Sequence, residues 1–420
     1  MKKRVIAFLL ATAMVFGLTA CGGSQGSDDN GKVKLRVATW REFDKEYYEE
    51  IERRFEEKYD YIDVQLEFNV DETSYQTNIQ TDITTGAVAD VFDLHHTGTM
   101  QMYGDYGLIL DQSDMDYMKN YDEVPGKINS WNGKNYAYMN SYNYFGCLYN
   151  VDIFNKLGLS IPKTPEELVD VVNKLKEAGY GGIAYPGGTV GYTFANGVII
   201  SSLGTDKYDE MMLGMDYGQL TDITTVEGLD DALRTVEYYA DNDILYTASE
   251  AVSYEPAMNL FATEKTAIFW GGTYFFGEKD IYFPDVNAAY FPVPTYAANG
   301  ISYAEPGHCS CIYAKSEHIE EAKLWVEFIA TPEISEYYCT NAKMLSPIKG
   351  VEPKFDEAEM LLGSATGYAL IKSNYYENGE LWSKEWDEAL KAIFWDGDDY
   401  KKHVDIVNKQ LKDADIANLK

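Results

Sequence analysis

Hydrophobic positions in the first part of the chain alternate between two periods. Residues 33–40 place apolar and polar side chains in turn, which predicts a strand, and apolar residues at helical spacing over 48–59 predict a helix. The strand pattern returns at 64–68, the helix pattern returns at 75–83, and a short apolar strand follows at 90–94. This order predicts parallel strands joined by crossover helices, an arrangement that binds ligands beyond the carboxyl ends of its strands.

The later chain continues in the same α/β style. Thr164 and Glu167 form a capping box with Pro165 at the first helical position, which predicts a helix that Gly179 ends. Further apolar patterns predict one helix and two strands, at 319–329, 266–270 and 286–293. Roughly 390 residues follow the N-terminal segment, which is more than one ordinary core holds and therefore predicts two lobes.

The N-terminal segment predicts the compartment. Basic residues at 2–4 precede an apolar stretch that is too short to span a membrane comfortably, so residues 1–20 are predicted to be a cleaved export signal. The ending Leu-Thr-Ala-Cys resembles the bacterial lipobox, and this resemblance implies that Cys21 becomes the first mature residue and carries a lipid. Residues 21–32 are rich in Gly, Ser and Asp, which predicts a flexible tether.

The net charge limits the classes of binding partner that the sequence predicts, and the cysteine spacing indicates the state of the thiols. The formal net charge of −33 repels phosphate backbones and anionic lipid, so we expect no nucleic acid partner and membrane association only through the anchor. Beyond Cys21 the cysteines show no C-x-x-C spacing, and buried free thiols are the default interpretation for Cys147, Cys309, Cys311 and Cys339. A bridge between Cys309 and Cys311 stays open as an alternative.

Two matches to catalytic or cofactor motifs lie in the wrong context. Residues 22–26 fit G-x-S-x-G but lie in the tether, where no strand can form. Residues 179–184 fit a dinucleotide fingerprint but follow a helix instead of a strand. With 68 acidic residues, paired carboxylates occur by chance and do not indicate a glycosidase. We therefore predict neither enzyme activity nor a cofactor.

Polar and aromatic residues follow two of the predicted strands at their carboxyl ends. Trp40 and Glu42 follow the first strand, and Asp93 and His95 follow the third. Because parallel sheets bind ligands at these ends, the four residues are candidate ligand contacts. His95 and His96 are neighbours on extended backbone and point in opposite directions, so we predict a hydrogen-bonding role for His95 and no metal site.

Several segments, in order, resemble the family 1 extracellular solute-binding proteins, relatives of maltose-binding protein. The segment 149–168 carries the signature that begins Tyr-Asn and ends Thr-Pro-Glu-Glu-Leu. Residues 86–92 and 261–268 resemble two further family segments, with Ala89 in place of the usual Pro and Glu264 in place of the usual Gly. Segments at 290–294 and 311–332 follow in the family's order, so the resemblance covers residues 33–420.

This resemblance implies a two-lobed α/β fold of the periplasmic-binding-protein class II, in which each lobe is a sheet flanked by helices. The expected lobes are 33–142 plus 289–330, and 143–288 plus 331–420. Solute binds in the cleft between the lobes, which close around it by a hinge motion, and the closed form docks on the membrane permease of an ABC importer. We expect a monomer.

The expected solute is a sugar or a short oligosaccharide. The chain has 35 Tyr and 7 Trp, and flat aromatic rings cover the C–H faces of sugars while carboxylates and amides pair with the hydroxyls. Alternative solutes are a polyol, a phosphorylated polyol or a polyamine. An alternative from another class of protein is a surface glycoside hydrolase.

The resemblance also implies individual contacts. Tyr274 falls where the family has its main sugar-stacking aromatic, and Trp270 before it is core or cleft wall. Asn143 and Tyr144 lie in the first crossing between the lobes, where the family has a polar contact, and Tyr192 matches a second aromatic.

Two more candidates lie later in the chain. His308 begins a predicted strand beside the cleft, since one short segment with Cys309 and Cys311 is a poor metal site. Trp382 belongs to a late helix that overlooks the cleft in the family, although its spacing also suits core packing.

Replacement of the lipobox cysteine tests the anchor. Cys21→Ala removes the thiol that would carry the lipid, so the protein should move from the membrane fraction to the soluble fraction or the medium. Fractionation and immunoblotting measure the distribution, with Cys339→Ala as the matched cysteine control. A mature chain whose intact mass shows a start at a residue other than Cys21 would contradict the prediction.

Overall fold

A computed structural model describes residues 31–69, 72–96, 98–129, 133–187, 193–216, 218–247, 249–297, 300–364, 367–370 and 379–413. The strands within these residues are β1 (Val33–Thr39), β2 (Ile62–Phe68), β3 (Val91–His95), β4 (Tyr138–Met139), β5 (Tyr142–Asn150), β6 (Ile268–Gly272), β7 (Ala288–Phe291), β8 (Ile301–Pro306), β9 (His308–Ile312) and β10 (Gly367–Leu370).

The α-helices within these residues are α1 (Lys45–Lys58), α2 (Glu72–Thr85), α3 (Gly98–Asp105), α4 (Glu123–Ile128), α5 (Val151–Leu157), α6 (Pro165–Glu177), α7 (Thr193–Asp216), α8 (Leu229–Asp241), α9 (Tyr254–Ala262), α10 (Phe275–Tyr282), α11 (Ile319–Ile329), α12 (Pro332–Asn341), α13 (Ala358–Ser364), α14 (Gly379–Phe394) and α15 (Tyr400–Asp413). Short 3₁₀ segments add Glu42–Asp44, Asp116–Asn120, Ile223–Thr225 and Ser249–Ala251.

The first sheet has the strand order β2-β1-β3-β9-β4. Strand β1 pairs in parallel with both β2 and β3, which confirms the strand–helix–strand–helix–strand order predicted for the first hundred residues. Strand β9 enters between β3 and β4 and runs antiparallel to β3, with His95 opposite His308. The parallel half of this sheet and the inserted strand therefore share one edge at which side chains from 95 and 308 meet.

The second sheet has the strand order β10-β8-β5-β6, and β7 also pairs with β5. Strand β5 is antiparallel to β6, β7 and β8, and every one of its residues except Tyr149 is buried. A strand that is buried on both faces reads as a largely apolar run, as residues 144–149 do. The second sheet is therefore organised around β5.

The chain passes between the two sheets on two neighbouring strands. Strand β4 leads into β5 through Asn140 and Ser141, and β8 leads into β9 through Gly307. The Gly307 N–H donates to the Ser141 carbonyl at 2.8 Å, and the Asn140 N–H donates to the His308 carbonyl at 3.0 Å. A Cβ atom on Gly307 would lie 2.5 Å from Ser141 Oγ, so only glycine lets the two segments run this close together.

The assignment of strands to the two sheets differs from the predicted lobes at residues 289–306. Strands β7 and β8 pair within the second sheet, although the sequence analysis assigned 289–330 to the first lobe. Helix α12 packs in the first hydrophobic cluster through Ile334, Tyr338 and Cys339. A division made by sheets therefore puts the second crossing at Gly307, and the lobe boundaries themselves stay a prediction.

Two hydrophobic clusters fill the interior. The first covers the first sheet and continues onto one face of the second, where Tyr144 and Leu148 of β5 point. The second covers the opposite face of the second sheet, where the intervening residues Phe145 and Cys147 point. This division follows the period of two along β5.

Sequence signals at helix ends act locally as expected. The Thr164 side chain accepts a hydrogen bond from the Glu167 N–H, the Glu167 carboxylate accepts one from the Lys163 N–H, and Pro165 is the first residue of α6. Gly179 follows the helix with φ 92°, a left-handed conformation that favours glycine. The helix predicted from the capping box is confirmed.

Cysteine chemistry is settled for the four cysteines that the structure describes. Cys147, Cys309, Cys311 and Cys339 are buried free thiols, which confirms the default interpretation over a bridge between Cys309 and Cys311. Burial raises the thiol pKa of all four, so they are poor nucleophiles. Among the described helices none combines the length and the apolar character that a membrane span requires.

Close packing at β5 generates a stability prediction. A Cβ atom on Gly146 would lie 2.7 Å from the Tyr290 ring and 2.9 Å from the Phe291 carbonyl oxygen, and that backbone atom cannot move freely. Gly146→Ala should therefore lower the free energy of unfolding by about 1–3 kcal/mol, as overpacking does in other cores. Urea denaturation measures the change.

The matched control is Gly363→Ala in α13. A Cβ atom there meets nothing within 4 Å, and the residue is exposed. Alanine is the better helix former, so the control should leave stability unchanged or raise it by up to about 1 kcal/mol. Equal unfolding midpoints for the two variants would contradict the account of β5.

Candidate ligand-binding site

Aromatic and imidazole rings gather where β1, β3 and β9 meet. Trp40 directly follows β1 and is buried, and its ring centroid lies 4.8 Å from that of His95 and 6.0 Å from that of His308. Tyr75 of α2 lies on the other side of Trp40, with ring centroids 5.4 Å apart. His95 is only half-buried. The structure thus brings the predicted residues Trp40, His95 and His308 into one group, although Trp40 itself offers little exposed surface.

A buried hydrogen-bond network supports this group. Asp93 accepts from Ser310 Oγ at 2.7 Å and from Tyr48 Oη at 3.4 Å, and Tyr48 Oη also lies 2.9 Å from His308 Nε2. Burial raises the pKa of Asp93 to about 6, against the opposing hydrogen bonds from Ser310 and Thr39. The cost of desolvation exceeds the stabilisation that these donors give the charged carboxylate.

His308 is held as a neutral ring. Burial lowers its pKa well below the usual value, and the positive charges of Arg41 and His95 lower it further. Its Nε2 lies against Tyr48, and its buried Nδ1 has no hydrogen-bond partner in the described chain. Within the described residues no group of three or more His, Cys, Asp or Glu side chains could hold a metal ion.

An ion pair begins the segment that follows β1. Arg41 Nε lies 2.6 Å from the buried Asp44 carboxylate, which also accepts from Tyr338 Oη at 2.8 Å. Burial is the largest single influence and lowers the pKa of the Arg41 guanidinium, but Asp44, Tyr338 and Tyr48 together outweigh burial and the pKa is raised. Glu42 lies between these two partners and is half-buried. The ion pair fixes the short 3₁₀ turn that carries Glu42.

A second carboxylate lies on the other sheet, beside the crossing. Glu305 of β8 is paired in register with Asn143 of β5, and Tyr303 Oη donates to its carboxylate. Burial raises the pKa of Glu305 to about 7, and the charge of His95 opposes the shift. The buried Asn143 Oδ1 has no hydrogen-bond partner within the described chain. Asn143 and Glu305 therefore form a polar pair with unused hydrogen-bonding capacity.

Tyr274 lies just beyond the end of β6 and is the N-cap residue of α10. The backbone before it is tied to β5, because Thr273 N–H donates to the Tyr144 carbonyl at 2.8 Å and Thr273 Oγ1 accepts from the Tyr144 N–H at 3.2 Å. A Cβ atom on Gly272 would overlap the Tyr274 ring, so glycine lets that ring fold back over the strand end.

The Tyr274 ring is half-buried and packs against both hydrophobic clusters. Its centroid lies 5.9 Å from that of Phe145 and 5.9 Å from that of Tyr254. Burial raises its pKa, and the nearby carboxylates Glu278 and Glu305 raise it further. An aromatic ring with two carboxylates beside it combines an apolar face with strong hydrogen-bond acceptors.

Electrostatic interactions link charged side chains on the two sides of the candidate site. Glu278 of α10 accepts from Tyr254 Oη at 2.7 Å, and burial raises its pKa while Arg41 opposes the shift. Glu305 is in turn within electrostatic reach of His95. Arg41 after β1 and His95 of β3 thus interact electrostatically with Glu278 of α10 and Glu305 of β8, the two carboxylates that also act on Tyr274.

The other predicted residues lie in different surroundings. Trp270 is 1% exposed and packs in the second cluster, 4.7 Å between ring centroids from Phe194. Tyr144 is also buried, with its ring 6.3 Å from that of Tyr290. Tyr192 lies outside the described residues. Trp382 belongs to α14, and its side chain lies outside the described part of the chain.

Three polar residues of this region did not emerge as candidates from the sequence: Arg41, Glu278 and Glu305. Arg41 lies between two candidates, and its position after β1 is a usable signal. Glu305 interrupts an otherwise apolar and small run just before Gly307, which is a weaker signal. Glu278 follows Tyr274 by four residues. Residues at this spacing are neighbours only on a helix, so the contact depends on α10 beginning at Phe275.

Two sheets flanked by helices and joined by paired crossing strands, with a polar and aromatic region between them, define the architecture of a two-lobed solute-binding protein. The chain belongs to the bacterial extracellular solute-binding protein family, which its residues 38–336 match. The family and the two-lobed α/β fold predicted from the sequence are both confirmed.

Two curated proteins illustrate the relationship. The chain is 25% identical over 323 residues to the multiple sugar-binding protein of Streptococcus mutans, an alignment that covers 74% of each chain. It is 26% identical over 186 residues to the melibiose/raffinose/stachyose-binding protein MelE of Bacillus subtilis, which covers 44% of this chain and 42% of MelE.

Solved structures show the same fold. The apo-form of RafE from Streptococcus pneumoniae superposes with a TM-score of 0.70 at 20% identity, over 92% of this chain and 98% of RafE. RafE in complex with raffinose superposes with a TM-score of 0.67 at 20% identity, over 90% of this chain and 98% of that one.

The raised pKa of Glu305 generates a pH prediction. Because the folded state favours the protonated carboxyl, it binds more protons than the unfolded state between the ordinary glutamate pKa near 4.5 and about 7. Stability should therefore fall as the pH rises through this window. Glu305→Gln has no charge to desolvate and should lose less stability, with a difference on the order of 1 kcal/mol because the side chain is only half-buried.

Urea unfolding of the ligand-free protein at a series of pH values measures the effect. The free energies of the two proteins should agree near pH 4 and diverge as the pH rises to about 8, with the variant the more stable. Parallel curves over this range would contradict the assignment of a half-buried, partly desolvated carboxyl at Glu305.

Proposed function

We propose that this protein captures a carbohydrate in the space between its two sheets and delivers it to the permease of an ABC importer. The observation that carries the proposal is the Tyr274 ring, which is half-buried at the end of β6, touches both hydrophobic clusters and has Glu278 and Glu305 beside it. The sugar-binding relative from Streptococcus mutans and the raffinose complex of RafE support a carbohydrate as the solute.

The chemistry of this region suits a neutral polyhydroxylated ligand. The Tyr274 ring supplies a flat apolar surface for the C–H face of a sugar ring. Carboxylates at Glu278 and Glu305 accept hydrogen bonds from hydroxyls, and the side chain of Arg41 donates them. The Asn143 Oδ1, which has no hydrogen-bond partner among the described residues, is one more acceptor. A ligand that satisfies these groups offsets the cost of having partly desolvated them.

Binding is coupled to closure of the two lobes in this proposal. The crossings at Ser141 and Gly307 are short, are hydrogen-bonded to each other, and lie next to Asn143 and Glu305. A small change of backbone angles at these crossings moves one sheet relative to the other. Contact residues on both sheets, His95 on the first and Tyr274 beyond the second, make closure favourable only with ligand present.

The proposed location is outside the cytoplasm, with the protein held at the membrane by a lipid on Cys21. Membership of an extracellular solute-binding family supports the location. The basic and apolar N-terminal segment and the tether at 21–32 support export followed by lipid attachment. The ATP-dependent step belongs to partner subunits, since this chain serves as the receptor for the solute.

Raffinose binding tests the proposal directly. Isothermal titration should give saturable binding to one high-affinity site, and raffinose should raise the melting temperature because it binds only the folded protein. Tyr274→Ala should weaken this binding by about 1–3 kcal/mol through loss of the stacking surface. Tyr274→Phe keeps the ring and should retain most of the affinity.

The matched control is Tyr282→Ala, which removes a 61% exposed ring from the other end of α10 and should leave affinity unchanged. If Tyr274→Ala sharply lowers the melting temperature and leaves affinity unchanged, Tyr274 is a core residue and the proposed site is wrong. Release of a free monosaccharide during the titration would instead indicate hydrolysis and contradict a pure binding function.

A further inference from the structure

A cavity lies beside the second sheet, near the end of β6 that is remote from Tyr274. Its volume is about 740 Å³, within the range that small-molecule sites occupy, and the residues that matter for its chemistry are Tyr180, Gly181, Asp243, Tyr246, Trp395 and Asp396. We call it the distal groove.

The topology separates the distal groove from the site between the sheets. Gly181 pairs with Thr266, just before β6, whereas Tyr274 follows the other end of that strand. The seven residues from Thr266 to Gly272 are separated by six steps along the strand, which span roughly 20 Å of extended chain. A ligand of one or two sugar rings bound at Tyr274 therefore cannot reach the distal groove.

Aromatic rings line the distal groove and are held in place from behind. Trp395 is half-buried, with its ring stacked at 27° and 6.0 Å on the buried Tyr185 and its edge 5.1 Å from Phe394. Tyr180 and Tyr246 are half-buried as well. Such rings lose little conformational freedom when a ligand covers them, because packing already fixes their orientation.

Gly181 shapes the opposite wall. A Cβ atom at this position would overlap the ring of Tyr246 and would also lie 3.2 Å from Thr266 Cγ2. The absence of a side chain lets the Tyr246 ring lie against the backbone instead of filling the groove. A flat aromatic wall therefore faces the open space.

Polar groups at the rim of the distal groove lack partners among the residues that the structure describes. The indole Nε1 of Trp395 and the carboxylates of Asp243 and Asp396 form no hydrogen bond or ion pair with other described residues. Lys176 donates to the backbone carbonyl of Asp243 at 2.7 Å, which leaves that carboxylate unengaged. The rim thus presents one fixed donor and two strong acceptors around an aromatic surface.

We propose that the distal groove is a second carbohydrate-binding site, which takes a neutral saccharide unit independently of the site between the sheets. Aromatic rings cover the C–H face of a sugar, the carboxylates accept from its hydroxyls, and the indole N–H donates to a hydroxyl or ring oxygen. Two carboxylates at the rim and the net charge of −33 disfavour phosphorylated or other anionic ligands. A saccharide bound in the distal groove stays near the protein and does not occupy the proposed ligand site between the two sheets.

The indole N–H resonance of Trp395 reports on occupancy of the distal groove. It is assigned in the ¹⁵N-labelled protein as the resonance lost in Trp395→Phe, and raffinose, a xylo-oligosaccharide and a chito-oligosaccharide are titrated in turn. At least one should shift it saturably, in the wild type and equally in Tyr274→Ala, whose transport cleft is impaired. Tyr246→Ala should raise the half-saturating concentration by about fivefold or more, through loss of one stacking ring.

Tyr106→Ala, which removes an exposed ring from the first half of the chain, is the matched control and should leave the titration unchanged. The proposal is overturned if none of the three saccharides moves the resonance, or if Tyr274→Ala abolishes the shift and so shows that Trp395 senses only the cleft. The Trp395 titration does not depend on whether raffinose binds between the sheets in calorimetry. If the distal groove binds no saccharide, the proposed function in solute import therefore still stands.

Discussion

The hydrogen-bonded pair of crossings at Ser141 and Gly307 positions everything else in the candidate site. Two backbone segments pass from sheet to sheet side by side, with Gly307 N–H bonded to the Ser141 carbonyl at 2.8 Å and no space for a side chain at 307. Asn143 and Glu305 lie just on one side of this pair, and His308 lies just on the other. The distance between contact residues of opposite sheets therefore depends on the backbone angles of these two crossings and of the later return to the second sheet, where Leu345 pairs with Tyr142.

Desolvated carboxylates are the second theme of the region. Asp93 and Glu305 have pKa values raised to about 6 and about 7 by burial, although each accepts hydrogen bonds from the protein. The free protein thus keeps these acceptors at an energetic cost, which a ligand rich in hydroxyls can reduce. An apolar solute could not do so, and an anionic one would increase the repulsion.

Local patterns in the sequence predicted local structure well, and long-range pairing explains where prediction stopped. The alternation over 33–94 predicted the parallel strands, and the strand ends then made Asp93 and His95 candidates, because ligands of a parallel sheet bind where its topology places the strand ends. Glu305 could not be distinguished among 68 acidic residues, because burial raises its pKa and that burial exists only in the folded chain, where β8 pairs with β5 from more than a hundred residues earlier. Trp270 is a core residue and Tyr274 is not, for a related reason. The period of two along β6 places the Trp270 side chain in the second cluster with Ile268, whereas Tyr274 lies beyond the end of the strand.

The same long-range pairing governs how the chain acquires its structure. Strand β5 meets its partners β6, β7 and β8 only after more than a hundred further residues, and the first sheet is completed only by β9. Closing such large loops costs entropy before any strand contact repays it, so folding is slow relative to chains dominated by local contacts. Neither sheet can be finished until most of the polypeptide has been made. A chain that stops before β9 consequently lacks a strand from each sheet, and it exposes the edges of β3 and β8 that β9 and β10 would otherwise cover.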